Sequence, residues 1–133
     1  MKKLLILLVL LLVSYMSFSQ GLNEDYTTVY DKVKKGEEFR DMTFNTDKER
    51  KWINAYSSIG WNSYGFPLHG NVCDVVIFVP FNNEGASAMI QYCNANLIII
   101  DAHNWNFYRE DNSAGRVTLK SVDGNLTFYF YNL

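Results

Sequence analysis

The chain has little of what marks a metal-binding, nucleotide-binding or hydrolytic protein. Its 133 residues include two cysteines, two histidines and two prolines, which is too few for a cysteine-rich framework or a histidine-rich metal site. No glycine-rich segment is followed by Gly-Lys-Ser/Thr, so a phosphate-binding loop of that type is absent. No serine occupies a Gly-x-Ser-x-Gly turn. The sequence therefore predicts no cofactor and no metal, and no catalytic residue is assigned.

Long apolar runs are also lacking. Residues 4–18 form a run of 15 residues that two serines interrupt, whereas a helix needs roughly 20 apolar residues to cross a bilayer. Lys2 and Lys3 before the run, and small residues ending at Ser19 after it, are typical of a cleaved secretory signal peptide. We therefore predict a signal peptide over residues 1–19.

Basic residues are few in the remaining chain. Cleavage before Gln20 removes Lys2 and Lys3 and leaves ten basic against fourteen acidic residues, a net charge near −4. Binding to nucleic acid or to an anionic membrane depends on an excess of positive charge, so neither is expected as a partner. We predict one α+β domain over residues 20–133, exported to a periplasm or to the cell exterior without a stable membrane anchor.

Two N-terminal helices are predicted. The first runs from Asn23 as its cap to Gly36 as its stop, with apolar residues at helical spacing. The second begins at the capping box of Thr46 and Glu49 and ends at Gly60. The apolar face of this second helix comprises Trp52, Ala55, Tyr56 and Ile59.

The rest of the chain predicts β-structure. Residues 60–70, rich in glycine, are expected to form a loop, and from Val72 the apolar period changes to two. Five strands are predicted: Val72–Phe81, Ala88–Cys93, Leu97–Arg109, Arg116–Val122 and Asn125–Tyr131. The expected fold is two N-terminal helices packed on an antiparallel, mostly meandering sheet of about five strands.

Two turns fix the expected register. Asp123-Gly124 suits a two-residue type I′ turn, and counting outward places Leu119 opposite Phe128 in a hairpin. Its inward face would carry Val117, Leu119, Leu126, Phe128 and Phe130. A turn centred on Asn83 would place Cys73 directly opposite Cys93, which predicts a disulfide between them.

The predicted strand 97–109 contains an anomaly. Ile98 and Ile100 occupy even positions, but Trp105 occupies an odd one. A β-bulge near His103 would return all three to one face. Asp101 would then point away from the core, beside His103.

Aromatic residues are the abundant feature. After cleavage 19 of 114 residues are aromatic, and several alternate with asparagine in residues 61–64 and 104–108. Rings beside amides suit protein interfaces, where Tyr and Trp are enriched, and also suit stacking on sugars. The candidate binding residues are Trp61, Tyr64, Asp101, His103, Trp105, Tyr108, Tyr129 and Tyr131.

The function expected from these features is that of an exported, non-enzymatic binding protein. Its partner would be another exported or extracellular protein, as for an inhibitor or an immunity protein. The alternative is a carbohydrate or small-ligand binding module. A small hydrolase or metal-dependent enzyme is the third interpretation, and it requires Asp101, His103 and His69 to converge. The candidate residues of the carbohydrate module are Trp61, Tyr64, Trp105 and Tyr108.

Overall fold

The computed structural model describes residues 21–36 and 39–133, which contain two α-helices and eight β-strands. The helices are α1 (Tyr26–Lys35) and α2 (Asn83–Asn96). The strands are β1 (Arg40–Thr46), β2 (Arg50–Tyr56), β3 (Gly60–Pro67), β4 (Val75–Pro80), β5 (Ile98–Asp101), β6 (Asn104–Tyr108), β7 (Ala114–Val122) and β8 (Asn125–Asn132). The predicted signal peptide, residues 1–19, lies outside the described residues.

All eight strands belong to one antiparallel sheet in the order β1-β2-β3-β4-β8-β7-β6-β5. Strands β1–β4 form one meander and β5–β8 a second, and α2 carries the chain from β4 to the far edge. The last strand, β8, then pairs with β4 and joins the two meanders. The predicted fold was wrong in two respects, because within the described residues one helix rather than two precedes the sheet, and the sheet has eight strands rather than five.

The predicted second helix is a strand pair. Instead of opening a helix, Asp47 closes the turn between β1 and β2, and its Oδ1 accepts the backbone N–H groups of Glu49 and Arg50 at 2.8 Å each. The capping-box pattern was therefore misread, since a short polar side chain can satisfy the same donors in a turn. Trp52 and Ile53, consecutive residues of β2, lie on opposite sides of the sheet.

The predicted loop 60–70 is largely strand β3. Its glycines do not interrupt the strand. They leave room for aromatic rings that pack against the backbone. A Cβ on Gly60 would lie 2.5 Å from the Phe78 ring, and one on Gly65 would lie 2.7 Å from the Trp52 ring. Glycine within a strand often marks such a close approach.

The predicted strand 88–93 lies within α2. The helix is capped by Asn82, whose side chain accepts the N–H of Gly85 at 2.9 Å. Because Cys93 is helical, it cannot stand opposite Cys73 in a hairpin, and the predicted disulfide is not formed. Both thiols are free and fully buried, and burial raises the pKa of each to about 12.

The predicted long strand 97–109 is two strands. The chain reverses between β5 and β6, so that Ile99 pairs with Trp105 and Asp101 with Asn104. Ile98 pairs with Asn106, so Ile98 lies on the side of the sheet opposite to Trp105, and the prediction that the two share a face was wrong. The register does shift between Ile99 and Asp101, earlier than the predicted bulge at His103.

Two predicted elements are confirmed. The first helix ends at Gly36 as predicted, although its cap is Asp25 rather than Asn23. The hairpin of β7 and β8 has the predicted register, with Leu119 opposite Phe128. Gly124 in its turn has φ +81°, a conformation that favours glycine.

Both helices pack on the same side of the sheet. The Tyr26 ring of α1 meets the Phe66 ring edge-on, with centroids 4.9 Å apart. Asn94 of α2 accepts a hydrogen bond from the Trp105 indole at 2.9 Å. This side, the covered face, contains the largest fully buried side chains of the sheet, which are Trp105, Phe66, Phe78, Phe128, Phe130, Ile53, Val76 and Val117.

Candidate binding face

No helix of the described residues lies on the other side of the sheet, which we call the open face. The strand register assigns its side chains, because successive residues of a strand point to opposite sides. One row across six strands consists of Asn54, Ser63, Ile77, Tyr129, Thr118 and Asn104. The next row consists of Trp52, Gly65, Val75, Tyr131, Arg116 and Asn106. Tyr56, Trp61 and Val79 begin a third.

The β1–β3 side of the open face is held by a chain of side-chain hydrogen bonds. Asn54 donates to Asn45 at 2.6 Å, Ser63 donates to Asn54 at 2.7 Å, and the Trp61 indole donates to Ser63 at 2.7 Å. Asn54 and Ser63 are buried although no second layer covers them. The network therefore fixes the Trp61 ring on the sheet surface.

An aromatic cluster adjoins this network. The rings of Tyr56 and Trp61 meet edge-on with centroids 4.6 Å apart, and the Phe81 ring stacks on Tyr56 at 5.9 Å. Phe81 is 49% exposed. The cluster presents ring surface to solvent at a corner of the open face, which is the type of surface found at binding hot spots.

Trp52 lies across Gly65. A Cβ on Gly65 would meet both the Trp52 ring and the Val75 side chain at 2.7 Å, so the indole packs over Gly65 while remaining partly exposed. Its N–H donates to Asp47 at 2.8 Å. Sequence analysis missed this residue because it assigned Trp52 to a helix, although Trp52, Asn54 and Tyr56 alternate at strand spacing.

The β6–β8 side of the open face combines tyrosines with basic residues. The hydroxyls of Thr118 and Tyr131 are 2.9 Å apart, and Thr118 also donates to Asn104 at 2.8 Å. Lys120 Nζ lies 5.4 Å from the centre of the Tyr129 ring. These contacts hold the tyrosines in place beside positive charge.

The basic residues of this side have polar or aromatic neighbours rather than acidic ones. Arg116 donates to the neutral side chain of Asn106 at 2.8 Å. Among residues 21–36 and 39–133, no carboxylate lies within ion-pairing distance of Arg116 or Lys120. By contrast, Arg50 on the same face is bound by Asp74 through two bonds of 3.0 Å. The open face thus carries uncompensated positive charge on a chain with a net charge of −2.

The structure divides the predicted binding residues between the two faces. Trp61, Tyr108, Tyr129 and Tyr131 belong to the open face, where Tyr108 is 61% exposed. Tyr64 and Trp105 belong to the covered face and are 7% and 1% exposed. These two residues therefore cannot contact a ligand at the surface without rearrangement of the core.

Asp101 and His103 lie at the reversal between β5 and β6. The Asp101 carboxylate accepts the backbone N–H of His103 at 2.8 Å and the side-chain N–H of Asn104 at 2.9 Å. These bonds, of which the bond to His103 contributes most, lower the pKa of Asp101. The geometry is that of a turn stabilised by its own aspartate.

The residues of the enzymatic interpretation do not converge. His69 follows β3, and the strands β4, β8 and β7 lie between β3 and β6, the strand that follows His103. In the part of the chain that the structure describes, no three His, Cys, Asp or Glu side chains are grouped to hold a metal ion.

Comparison of the chain with protein-family models, with curated proteins and with solved structures finds no match. Neither of the two described helices is long and apolar enough to cross a membrane. The functional argument therefore depends on the open face itself.

Proposed function

We propose that the protein is an exported, non-enzymatic binding protein, of the inhibitor or immunity type, that holds another protein on its open face. The single observation that supports this is the uncovered side of an eight-stranded sheet, where ordered aromatic rings surround an apolar centre. That centre consists of Val75, Ile77 and Val79, which are half-buried. Aromatic residues around an apolar centre are the composition of protein-binding surfaces.

The charge of the open face defines the partner further. Arg116 and Lys120 have no carboxylate partner in the described part of the chain, and they flank Tyr129 and Tyr131. A partner with acidic groups opposite these two residues would be drawn to this face and oriented on it. The proposed partner surface is therefore acidic around an apolar centre.

Site-specific photo-crosslinking locates the interface. A photoreactive phenylalanine replaces Tyr129 on the open face or, as the control, the exposed Gln91 on α2. The partner is sought among proteins that the producing cell exports or meets outside, and then purified. We expect crosslinks from position 129 and none from position 91. Equal crosslinking from both positions would contradict the proposal.

Titration of the purified partner tests the charge argument. We expect Arg116→Ala and Lys120→Ala each to weaken binding about tenfold at low salt, mainly through slower association. The matched control is Lys34→Ala, which removes the same charge from α1. The difference between variants and wild type should shrink at 0.5 M salt, since screening suppresses surface electrostatics. An unchanged affinity in both open-face variants would contradict an acidic partner.

A carbohydrate-binding module is the second candidate, favoured by one observation. The Trp52 indole packs over Gly65 and is partly exposed, and Trp61 lies four residues further along the β2–β3 pair, about 13 Å away at strand spacing. Two fixed rings with amides between them could stack on an oligosaccharide. The test is tryptophan fluorescence during titration with neutral cello-, xylo- and chito-oligosaccharides.

For this candidate we expect saturable quenching that Trp52→Ala abolishes. The control is Trp105→Phe, because the Trp105 ring is buried on the covered face. Absence of quenching across the panel, or quenching that survives Trp52→Ala, would exclude this platform.

A further inference from the structure

The two edges of the sheet differ in chemistry. At one edge, β1 begins with Arg40 and Asp41, and Asp41 has a left-handed backbone with φ 54°. The register with β2 is interrupted between Arg40 and Thr43. Charged residues and backbone irregularities of this kind block the addition of a further strand.

The other edge, β5, also shifts its register, between Ile99 and Asp101, but its three isoleucines carry neither a charge nor a left-handed backbone. Ile98, Ile99 and Ile100 are 53%, 57% and 48% exposed, although isoleucine is among the residue types most often buried. Among the described residues β5 has one neighbour in the sheet, β6, so its outer backbone N–H and C=O groups face away from the sheet. An apolar edge of this type is a template for another strand.

We infer that β5 pairs antiparallel with β5 of a second copy of this chain, about a two-fold axis at Ile99, and joins the two sheets edge to edge. A second copy fits because the sequence is self-complementary. With the axis at Ile99, each Ile98 stands opposite an Ile100 of the other copy, and the two Ile99 side chains meet. All three central pairs are apolar.

The charge at the end of the strand selects this arrangement. In the antiparallel register the two Asp101 carboxylates stand four residues apart along the strands, about 13 Å, which exceeds the screening length of about 8 Å at physiological salt. A parallel pair would place them side by side, where like charges are destabilising. The antiparallel register is therefore the one that the sequence permits.

The protected β1 edge limits the assembly to two copies. A two-fold contact uses the β5 edge of both molecules and leaves only β1 edges at the ends of the joined sheet. Growth by β5–β1 contacts would require β1, whose start is charged and irregular at Arg40 and Asp41, to accept a strand. A closed dimer, rather than a filament, is the expected product.

The edge is short, so the dimer is weak. Four residues span about 13 Å, and the contact is smaller than the ~800 Å² per partner of a standard stable interface. We expect a dissociation constant of about 10–100 µM. The variant Ile99→Lys places two positive charges opposite each other across the axis and should weaken association at least about thirtyfold.

Sedimentation velocity over about 1–500 µM tests the inference on protein produced from the full-length sequence. We expect a monomer–dimer equilibrium that Ile99→Lys shifts to monomer. The matched control, Leu126→Lys, alters a residue that is 38% exposed in the paired strand β8 and should leave the equilibrium unchanged. Should Ile99→Lys fail to fold, as judged by circular dichroism, the milder Ile99→Thr takes its place.

Crosslinking tests the register. Opposed residues of an antiparallel pair approach closely enough for a disulfide, so Ile99→Cys should give a covalent dimer under mild oxidation, and Leu126→Cys should not. The native thiols do not interfere, because both are fully buried. A monomer at every concentration, association that Ile99→Lys does not weaken, or growth beyond the dimer would each overturn the inference.

Discussion

The two-sidedness of the sheet can be tested by comparing two tryptophans on opposite faces. Trp105 is 1% exposed on the covered face, and its indole N–H donates to Asn94 of α2. Trp61 is half-exposed on the open face, with its N–H bound to Ser63. Trp105→Ala and Trp61→Ala delete the same atoms and each removes one hydrogen bond. The difference between their effects on stability therefore measures burial.

Burial sets the expected magnitudes. Deleting a fully buried Trp side chain typically costs about 3–5 kcal/mol, because it leaves a cavity, and here it also removes the hydrogen bond to Asn94 of α2. The Trp61 ring is partly exposed at the sheet surface, so its deletion leaves no enclosed cavity and should cost about 1–2 kcal/mol. With an m-value of about 1.5 kcal/mol/M, the urea midpoint should fall by roughly 2–3 M for Trp105→Ala and by about 1 M for Trp61→Ala.

Equilibrium unfolding in urea, followed by circular dichroism, provides the assay. The total stability of a domain of this size is about 5–15 kcal/mol, so Trp105→Ala is close to the limit of folding. Trp105→Phe retains most of the ring and should fall between wild type and Trp105→Ala. Equal losses for the two alanine variants, or a larger loss for Trp61→Ala, would refute the assignment of the faces and the open face with it.

Four further predictions concern individual side chains or residues. Cys73 and Cys93, whose pKa values burial raises to about 12, should resist a thiol reagent at pH 8 and react fully after denaturation; rapid native labelling of either would show that it is accessible. Because both folded pKa values exceed the ordinary 9.0, stability should fall as the pH rises above about 9, and Cys73→Ala should reduce that fall. Asp101 should titrate below 3.8 by carboxyl-carbon NMR, owing to its bonds to His103 and Asn104, and an ordinary value would contradict the turn. Gly124→Ala should lower the free energy of unfolding in urea by about 1–2 kcal/mol, because a φ of +81° is unfavourable for alanine. Steric contact does not contribute, since no atom lies within 4 Å of the added Cβ.

Sequence reasoning succeeded where a local signal determines the structure. The Asp123-Gly124 turn fixes the pairing of its own two strands, so the register of β7 and β8 was predictable. Gly36 after three lysines likewise marked the end of α1. Tyr129 and Tyr131 were correctly placed away from the hydrophobic side of that hairpin, and they now form part of the open face.

The errors arose where one local pattern fits two structures. Polar side chains that cap a helix also close a β-turn, as Asp47 does. The apolar residues of 88–93 fit strand spacing and helix spacing equally well. The helix α2 is favoured by the packing of Met89 and Cys93 into the core. The sidedness of Trp105 was not predictable either, since it depends on the chain reversal at His103 and on α2 lying above it.

The placement of β8 has a consequence for the order of events during folding. Strand β8 lies in the middle of the sheet. In the described part of the chain, its pairing with β4 is the one strand pairing that joins the two meanders. Within each meander, every strand pairs with a strand that is close in sequence. The β4–β8 pairing is different, because β8 begins 45 residues after β4 ends. The sheet therefore cannot be completed until residues 125–132 have been synthesised and are free to pair. Deletion of residues 125–132 would therefore expose two new strand edges, those of β4 and β7, at the centre of the sheet.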